Sequence, residues 1–245
     1  KAAPRPQVQA KPVLASQPAA TVAQGDTQIA LTQLSISEGT NNQLRVQQAQ
    51  HSSKGAIFVS AGAISLQDLA MAAQAQGLAG ISVVDGVVTL SRPLVIWQGA
   101  TLLIQSGDVL QMQAAGGAFL LNFGKLDLRG AILRSDVAAD MPETQYRPFV
   151  LTSGAGQIYA EATRFQALGM AELGPFAGVV VSTQGLFASS TPSILRDNRF
   201  EDIGSVTLIG TKGAQVTQNA FLASRGGALI PAQAAETAAT RARHD

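Results

Sequence analysis

The chain has 245 residues, 46% of them hydrophobic, which is enough for one large domain or two small ones with a substantial core. Its formal net charge of +1 gives no field that would attract nucleic acid or an anionic membrane, so neither partner is expected. The sequence contains no cysteine and only two histidines, which excludes disulfides, thiolate nucleophiles and a histidine-rich metal site. We therefore expect no cofactor.

The N-terminal segment, residues 1–26, is rich in Ala, Pro and Gln and has no hydrophobic period. This composition predicts a flexible tether. The chain begins with Lys1 rather than Met, as a mature or trimmed secreted product would. No apolar run is long enough to span a membrane.

Residues 27–80 are predicted to form a cap region. Apolar alternation predicts short strands at Ile29–Leu31, Leu34–Ile36 and Leu44–Val46. One amphipathic helix is predicted to begin after Ser65, which suits an N-cap, and to end near Gly77, which suits a C-cap. We expect this helix to cover the open end of a β-solenoid, where strand edges would otherwise be exposed.

From Leu78 onward, short apolar segments alternate with Gly, Asp, Ser and Asn, and no helix is predicted between them. This pattern excludes a doubly wound α/β fold and leaves a β-sandwich or a β-helix over residues 81–231, followed by an Ala-rich polar tail at 232–245. The segments are Ile81–Val84, Val87–Leu90, Leu94–Ile96, Thr101–Ile104, Val109–Met112, Ala118–Leu121, Lys125–Leu128, Phe149–Leu151, Gln157–Tyr159, Gly178–Val181, Val206–Ile209 and Ala228–Ile230.

A repeat favours the β-helix. Four segments align on a final large apolar residue, with a small or amide residue two positions before it: 128–133, 160–165, 195–200 and 216–221. Coils of a parallel β-helix stack about 4.8 Å apart, which would place Asn198 and Asn219 in one column at a turn. Their amides could then satisfy turn backbone groups. The alternative is two unrelated loop asparagines. We predict an all-β, right-handed parallel β-helix with a short N-terminal capping helix.

Residues 92–230 resemble the periplasmic mannuronan C-5-epimerases of alginate-producing bacteria, a family of right-handed β-helices. The matching stretches are Arg92–Leu94, Gly117–Asn122, Gly124–Leu126, Tyr146–Val150, Gln157–Tyr159, Leu168–Gly169, Gly178–Ser182 and Asn198–Asp202. The resemblance implies a periplasmic or secreted protein of an alginate-type exopolysaccharide pathway. An anionic polysaccharide is then the expected partner, with other export proteins as further candidates.

The catalytic motif of that family is absent at the matching position. The family carries an Asp-Pro-His-Asp motif there, whereas this chain keeps Pro231 but has Ile230, Ala232 and Gln233 in place of Asp, His and Asp. The chain is then either a shorter non-catalytic relative or part of a longer protein. Three functions stay open: a polysaccharide-binding β-helix, an active C5-epimerase or lyase with catalytic coils beyond this chain, and a structural or adhesive surface protein.

Five basic residues are the candidate substrate-binding set, because arginine forks bind carboxylates bidentately. They are Arg147, Arg164, Arg199, Lys212 and Arg225. The alternative is that they are scattered over solvent-facing strand positions. The acidic residues Asp197, Glu201 and Asp202 are predicted to form ion pairs with neighbouring arginines rather than an acid/base set.

Overall fold

The computed structural model describes residues 17–38, 55–138, 146–170, 176–183, 189 and 191–225, together with the backbone of 229–232 and 243–244. Most of the regular structure in these ranges is β-strand. Neither of the helices found there is long and apolar enough to cross a bilayer.

The strands form three sheets, and in each sheet the strands follow one another from the N-terminal to the C-terminal end of the solenoid. Sheet I contains β1 (Thr21–Asp26), β2 (Gly55–Ser60), β6 (Leu94–Ile96), β9 (Leu120–Asn122), β12 (Val150–Ser153), β15 (Gly178–Ser182), β18 (Ser205–Ile209) and β21 (Leu229–Ala232). Sheet II contains β3 (Gly62–Ser65), β7 (Ala100–Ile104), β10 (Lys125–Arg129), β13 (Gln157–Glu161), β16 (Ile194–Arg196) and β19 (Gln215–Thr217). Sheet III contains β4 (Ile81–Val84), β5 (Val87–Leu90), β8 (Val109–Met112), β11 (Ile132–Ser135), β14 (Arg164–Gln166), β17 (Arg199–Glu201), β20 (Ala220–Leu222) and β22 (Arg243–His244).

Along the chain, each coil passes from sheet I to sheet II to sheet III and then returns to sheet I. Neighbouring strands are parallel, except the pairs β1–β2 and β4–β5, which are antiparallel. This is the predicted right-handed parallel β-helix. The inward side chains of all three sheets form one continuous apolar core.

The predicted repeat is confirmed residue by residue. Leu133 pairs with Phe165, Phe165 with Phe200, and Phe200 with Phe221 on successive strands of sheet III. The three phenylalanine rings stack inside the core, with centroids 5.0 Å apart for each neighbouring pair. Aromatic columns of this kind add to the burial energy of each ring.

The asparagine column is also confirmed. The Asn198 side chain accepts a hydrogen bond from Thr163 N at 3.0 Å and donates one to Ala160 O at 3.0 Å. One coil further, Asn219 Oδ1 accepts from Asn198 N at 2.9 Å, and its Nδ2 donates to Leu195 O at 2.9 Å. The amides therefore form hydrogen bonds to the turn backbone of the preceding coil. These bonds stabilise the corner between sheets II and III.

The predicted capping helix is present as α2 (Leu66–Ala75), which directly follows the first strand of sheet II. Asp68 N donates to Ser65 Oγ at 3.1 Å, and Gly77 has φ +64°, the left-handed conformation that ends many helices. Leu66 and Leu69 are fully buried in the core. The helix therefore closes the N-terminal end of the core, as expected.

The strands predicted at Ile29–Leu31 and Leu34–Ile36 are wrong, because this segment is a helix, α1 (Thr27–Glu38). Asp26 Oδ1 accepts from Gln28 N at 2.8 Å and caps its start. The buried positions of α1 recur with the period of a helix, and its face packs on the outside of sheet I. These positions are Thr27, Ala30, Leu31, Leu34 and Ser37.

The division of the chain into tether, cap, β-helix and tail stays a prediction, with two local observations beside it. Residues 21–26 of the predicted tether form β1, paired with β2, and Val22 is buried. Regular parallel pairing already begins at β2 and β3, inside the predicted cap region. The strand predicted at Leu44–Val46 lies outside the described residues.

Candidate functional site

Two of the predicted basic residues lie side by side on the outer face of sheet III. Arg164 of β14 and Arg199 of β17 are directly registered partners. Parallel neighbours are about 4.8 Å apart, so the two guanidinium groups leave the sheet next to each other. Their side chains are 47% and 54% exposed, respectively, which makes them accessible to a ligand from solvent. We call them the arginine pair.

Both members of the arginine pair contact one carboxylate, that of Glu201. Arg164 Nε lies 3.7 Å from Glu201 Oε1, and Arg199 pairs with the same oxygen. Gln166 Nε2 donates to Glu201 Oε2 at 2.6 Å. Further along the sheet, Arg134 Nε donates to the neutral Gln111 side chain at 2.9 Å. Strands β4 to β20 of sheet III thus carry three arginines and one glutamate, a surplus of two positive charges.

The outer face of sheet II holds a different arrangement, which we call the tyrosine network: Asp127, Arg129, Tyr159, Glu161 and Arg196. Arg129 donates to both oxygens of Asp127, at 2.8 and 3.3 Å. Its guanidinium carbon also lies 4.7 Å from the centroid of the Tyr159 ring, a cation–π contact. The hydrogen bond to Asp127 raises the pKa of Arg129 above its usual value.

On the other side of this network, Tyr159 Oη donates to Glu161 Oε2 at 2.5 Å, and Arg196 pairs with the second oxygen of Glu161. The hydrogen bond from Tyr159, followed by that from Arg196, holds the pKa of Glu161 below its usual value. Burial, and then the hydrogen bond to Glu161, raises the pKa of Tyr159. Each arginine of this network therefore has a carboxylate partner, and the tyrosine stays protonated at neutral pH.

Two other predicted residues, Arg147 and Arg225, meet at the corner between sheets III and I. Arg147 Nη1 lies 3.1 Å from Asp202 Oδ2, and Arg225 Nε lies 2.9 Å from Asp202 Oδ1. Arg225 Nη2 also donates to the Asp202 carbonyl at 2.9 Å. The Arg147 side chain is only 1% exposed and that of Arg225 12%, so both are largely buried and pair with a carboxylate of another coil.

Lys212, the last of the five, is exposed in the turn between β18 and β19. The structure thus distributes the predicted set over three places: the arginine pair on sheet III, a buried corner, and a separate turn. The predicted ion pairs with nearby arginines are observed for Asp197, with Arg196, and for Glu201, with Arg199, whereas Asp202 pairs with the largely buried Arg147 and Arg225.

Sequence reasoning missed the tyrosine network as a unit. Its signal was present in Lys125–Arg129 and Gln157–Glu161, where charged or polar residues occupy every second position. Such alternation places Asp127 and Tyr159 on the outer face of their strands. Only the register, which pairs Asp127 with Tyr159 and Arg129 with Glu161, brings these groups together.

The outer face of sheet I is uncharged and mostly apolar. Strands β2 to β18 of this sheet carry no charged residue, and α1 covers Val95, Leu121 and Val180 on its outside. At the end of α1, Glu38 accepts hydrogen bonds from the hydroxyl groups of Ser153 and Ser182. In the part of the chain that the structure describes, no group of three potential ligands is placed to hold a metal ion.

The chain is similar in sequence to a mannuronan C5-epimerase of Pseudomonas syringae pv. tomato (strain ATCC BAA-871 / DC3000). The two are 28% identical over 121 aligned positions, and the match covers 46% of this chain and 22% of that protein. The crystal structure of the periplasmic alginate epimerase AlgG superimposes with a TM-score of 0.72 and 22% identity, over 86% of this chain and 52% of AlgG. The predicted resemblance is confirmed.

The structural likeness extends over most of the chain. A double-mutant structure of AlgG matches 90% of this chain and 56% of its own length, with a TM-score of 0.70 and 21% identity. No protein-family model matches the sequence. The chain spans about half the length of AlgG and about a fifth of the Pseudomonas syringae protein.

Proposed function

We propose that this epimerase-like β-helix binds an anionic polysaccharide of the uronate class on the outer face of sheet III. The observation that carries the proposal is the exposed, registered arginine pair with its single shared carboxylate. Two guanidinium groups on one carboxylate leave one positive charge to be neutralised by a ligand. The likeness to mannuronan C5-epimerases supports a uronate polymer as that ligand.

The sheet favours a polymer over a small anion. Its polar side chains follow one another along the solenoid axis, with Arg134, Gln166 and the arginine pair on consecutive strands. An extended chain lying along this axis would present a carboxylate to each arginine in turn. Guanidinium binds such carboxylates through paired hydrogen bonds, which fixes the direction of the chain as well as its charge.

The test is binding of immobilised polymannuronate by the wild-type protein and by two double variants that remove the same charge. We expect Arg164→Ala/Arg199→Ala to weaken binding by about 10-fold or more, equivalent to about 1.4 kcal/mol. Arg129→Ala/Arg196→Ala, on sheet II, should change the affinity by less than about 3-fold, provided that its melting curve shows a folded protein. Equal loss in both variants would mean that only net charge matters, and the proposed face would be wrong.

The cellular setting is part of the proposal. AlgG is a periplasmic enzyme, and we propose a periplasmic or secreted location and a role in an exopolysaccharide pathway for this protein as well. Other proteins of polysaccharide export are then candidate partners. Failure to bind any acidic glycan would leave the structural or adhesive function.

C5-epimerase activity is the second candidate, and the sequence similarity to a mannuronan C5-epimerase favours it. The position of the missing Asp-Pro-His-Asp motif falls on β21, where Ile230 pairs with Thr207 of sheet I. Incubating polymannuronate with the protein and measuring the guluronate content by proton NMR tests this candidate. An increase in guluronate would establish the activity, and an unchanged polymer that binds would favour the binding function.

A further inference from the structure

A groove with both polar and apolar lining lies at the corner where the chain passes from sheet I to sheet II, on a different side of the solenoid from the arginine pair. Its volume is about 540 Å³. It is lined by side chains that include Gln98, Thr101, Lys125 and Gln157, and by the turn glycines Gly99 and Gly124. This volume lies within the range of about 300–1,000 Å³ that is typical of small-ligand sites.

Stacking of the coils aligns the polar groups of the groove. Lys125 is the registered partner of Thr101 on one side and of Gln157 on the other. A hydroxyl, an ammonium and a carboxamide group therefore follow one another at intervals of about 4.8 Å along one wall. These three groups, with the Gln98 amide, offer both donors and acceptors to a hydroxylated ligand.

The turn that presents Lys125 is held in place by hydrogen bonds of the buried Asn122 and by the close packing of Gly124. Asn122 is fully buried; its Nδ2 donates to Gln157 O at 2.9 Å, and its Oδ1 accepts from Gly124 N at 3.1 Å. A Cβ on Gly124 would lie 2.4 Å from Trp97 O, so only glycine fits there. In addition, Gln157 Nε2 donates to Pro192 O at 3.1 Å, which orients its carboxamide.

Charge indicates the class of ligand. Of the described residues that line the groove, Lys125 is the only charged one. Its Nζ lies 3.9 Å from Asp127 Oδ2, beyond hydrogen-bond distance, and 35% of the side chain is exposed. The ammonium is therefore available to a carboxylate, and the uncharged groups around it match sugar hydroxyls.

We infer that this groove binds a short acidic saccharide, with one carboxylate on Lys125 and ring hydroxyls on Thr101, Gln98 and Gln157. The choice of a uronate rests on the function proposed above. The volume and the lining of the groove are independent of that function. The site is separate from the polymer face and suits one or a few sugar units rather than an extended chain.

Calorimetric titration with a mannuronate trisaccharide tests the inference. Lys125→Ala should weaken binding by about 10-fold, and Lys125→Arg should retain most of it. Ala155→Trp, which adds bulk at an exposed position on the rim without removing a polar contact, should also abolish binding. Neutral mannotriose should bind more weakly than the trisaccharide of mannuronate. Unchanged affinity of Lys125→Ala, or equal affinity for mannotriose, would overturn the inference.

Different results would contradict the polymer-binding face on sheet III and the saccharide groove. Arg164→Ala/Arg199→Ala should bind polymannuronate about 10-fold or more weakly than wild type does, but should bind the trisaccharide like wild type. If this double variant also lost the trisaccharide, the saccharide would lie on sheet III and the groove would be wrong. Absence of trisaccharide binding by the wild-type protein, with polymer binding intact, would overturn the groove and leave the proposed function standing.

Discussion

The outer faces of sheets II and III place arginine side chains in two different environments. On sheet II, Arg129 and Arg196 are each hydrogen-bonded to a carboxylate of their own, and Tyr159 lies between them. On sheet III, Arg164 and Arg199 share one carboxylate. Satisfied ion pairs hold neighbouring coils together, whereas an under-neutralised pair can accept a ligand.

The difference arises from small changes in neighbouring residues. Arg129 has Asp127 two positions before it on the same side of the strand, and Glu161 opposite on the next strand. Arg164 has the neutral Ile132 opposite it on one side and another arginine on the other. Whether an outward-facing arginine has a structural or a binding character thus depends on the side chain that lies about 4.8 Å away on the neighbouring strand.

The largest expected loss of stability comes from a substitution at the corner between sheets II and III. Asn198→Ala would leave the buried Thr163 N and Ala160 O without their partners, which should lower the free energy of unfolding by about 2–4 kcal/mol. Urea unfolding measures this loss. Asn198→Asp keeps the acceptor for Thr163 N and should lose less. A loss no larger than that of a surface substitution would show that the corner does not hold the two faces in place.

A substitution that breaks the tyrosine network should cause the next largest loss of stability. Glu161→Gln removes the charge that pairs with Arg196 and accepts from Tyr159, and we expect a loss of about 1–2 kcal/mol of stability. Polymannuronate affinity should stay within about 3-fold of wild type. If this variant lost binding but kept its stability, the roles assigned to the two faces would have to be exchanged.

The pH dependence of stability sharpens the same contrast. Because Glu161 has a lower pKa in the folded protein than in the unfolded chain, its contribution is present above about pH 4.5 and is lost as the pH falls through the folded value. The melting temperature of wild type should therefore decrease more steeply below that pH than the melting temperature of Glu161→Gln. Tyr159→Phe removes the hydrogen bond that lowers this pKa most, so the melting temperature of that variant should decrease less steeply below the same pH and level off sooner. Parallel curves for all three proteins would contradict this.

The smallest expected change is on sheet III, where a substitution should strengthen polymannuronate binding instead of weakening it. Glu201→Gln removes the carboxylate that the arginine pair shares, which should strengthen polymannuronate binding by about 3-fold. Stability should change by only about 0–1 kcal/mol, because these ion pairs are exposed. The gain should disappear at high salt, where exposed charges are screened. Weaker binding by Glu201→Gln at low salt would argue against a carboxylate ligand at this face.

Much of the fold could be predicted because it repeats. The spacing of Phe165, Phe200 and Phe221, together with Asn198 and Asn219, indicated both the coil and its locked corner. The helix α1 was missed because its apolar residues also fit short alternations, although Asp26 and the spacing of Ala30, Leu31 and Leu34 were signals for a capped helix. Short apolar segments are ambiguous until the surface that buries them is known.

Of the candidate site, the sequence by itself determined the residue types: arginines, carboxylates and a tyrosine on alternating strand positions, since alternation alone assigns a side chain to the inner or outer face. Only the tertiary structure decided which of them meet. Loops of different lengths separate successive coils, and the register across them places Arg164 beside Arg199 but brings Arg147 and Arg225 to the carboxylate of Asp202. Contacts between coils join residues far apart in the chain, so they depend on the stacking of the whole solenoid.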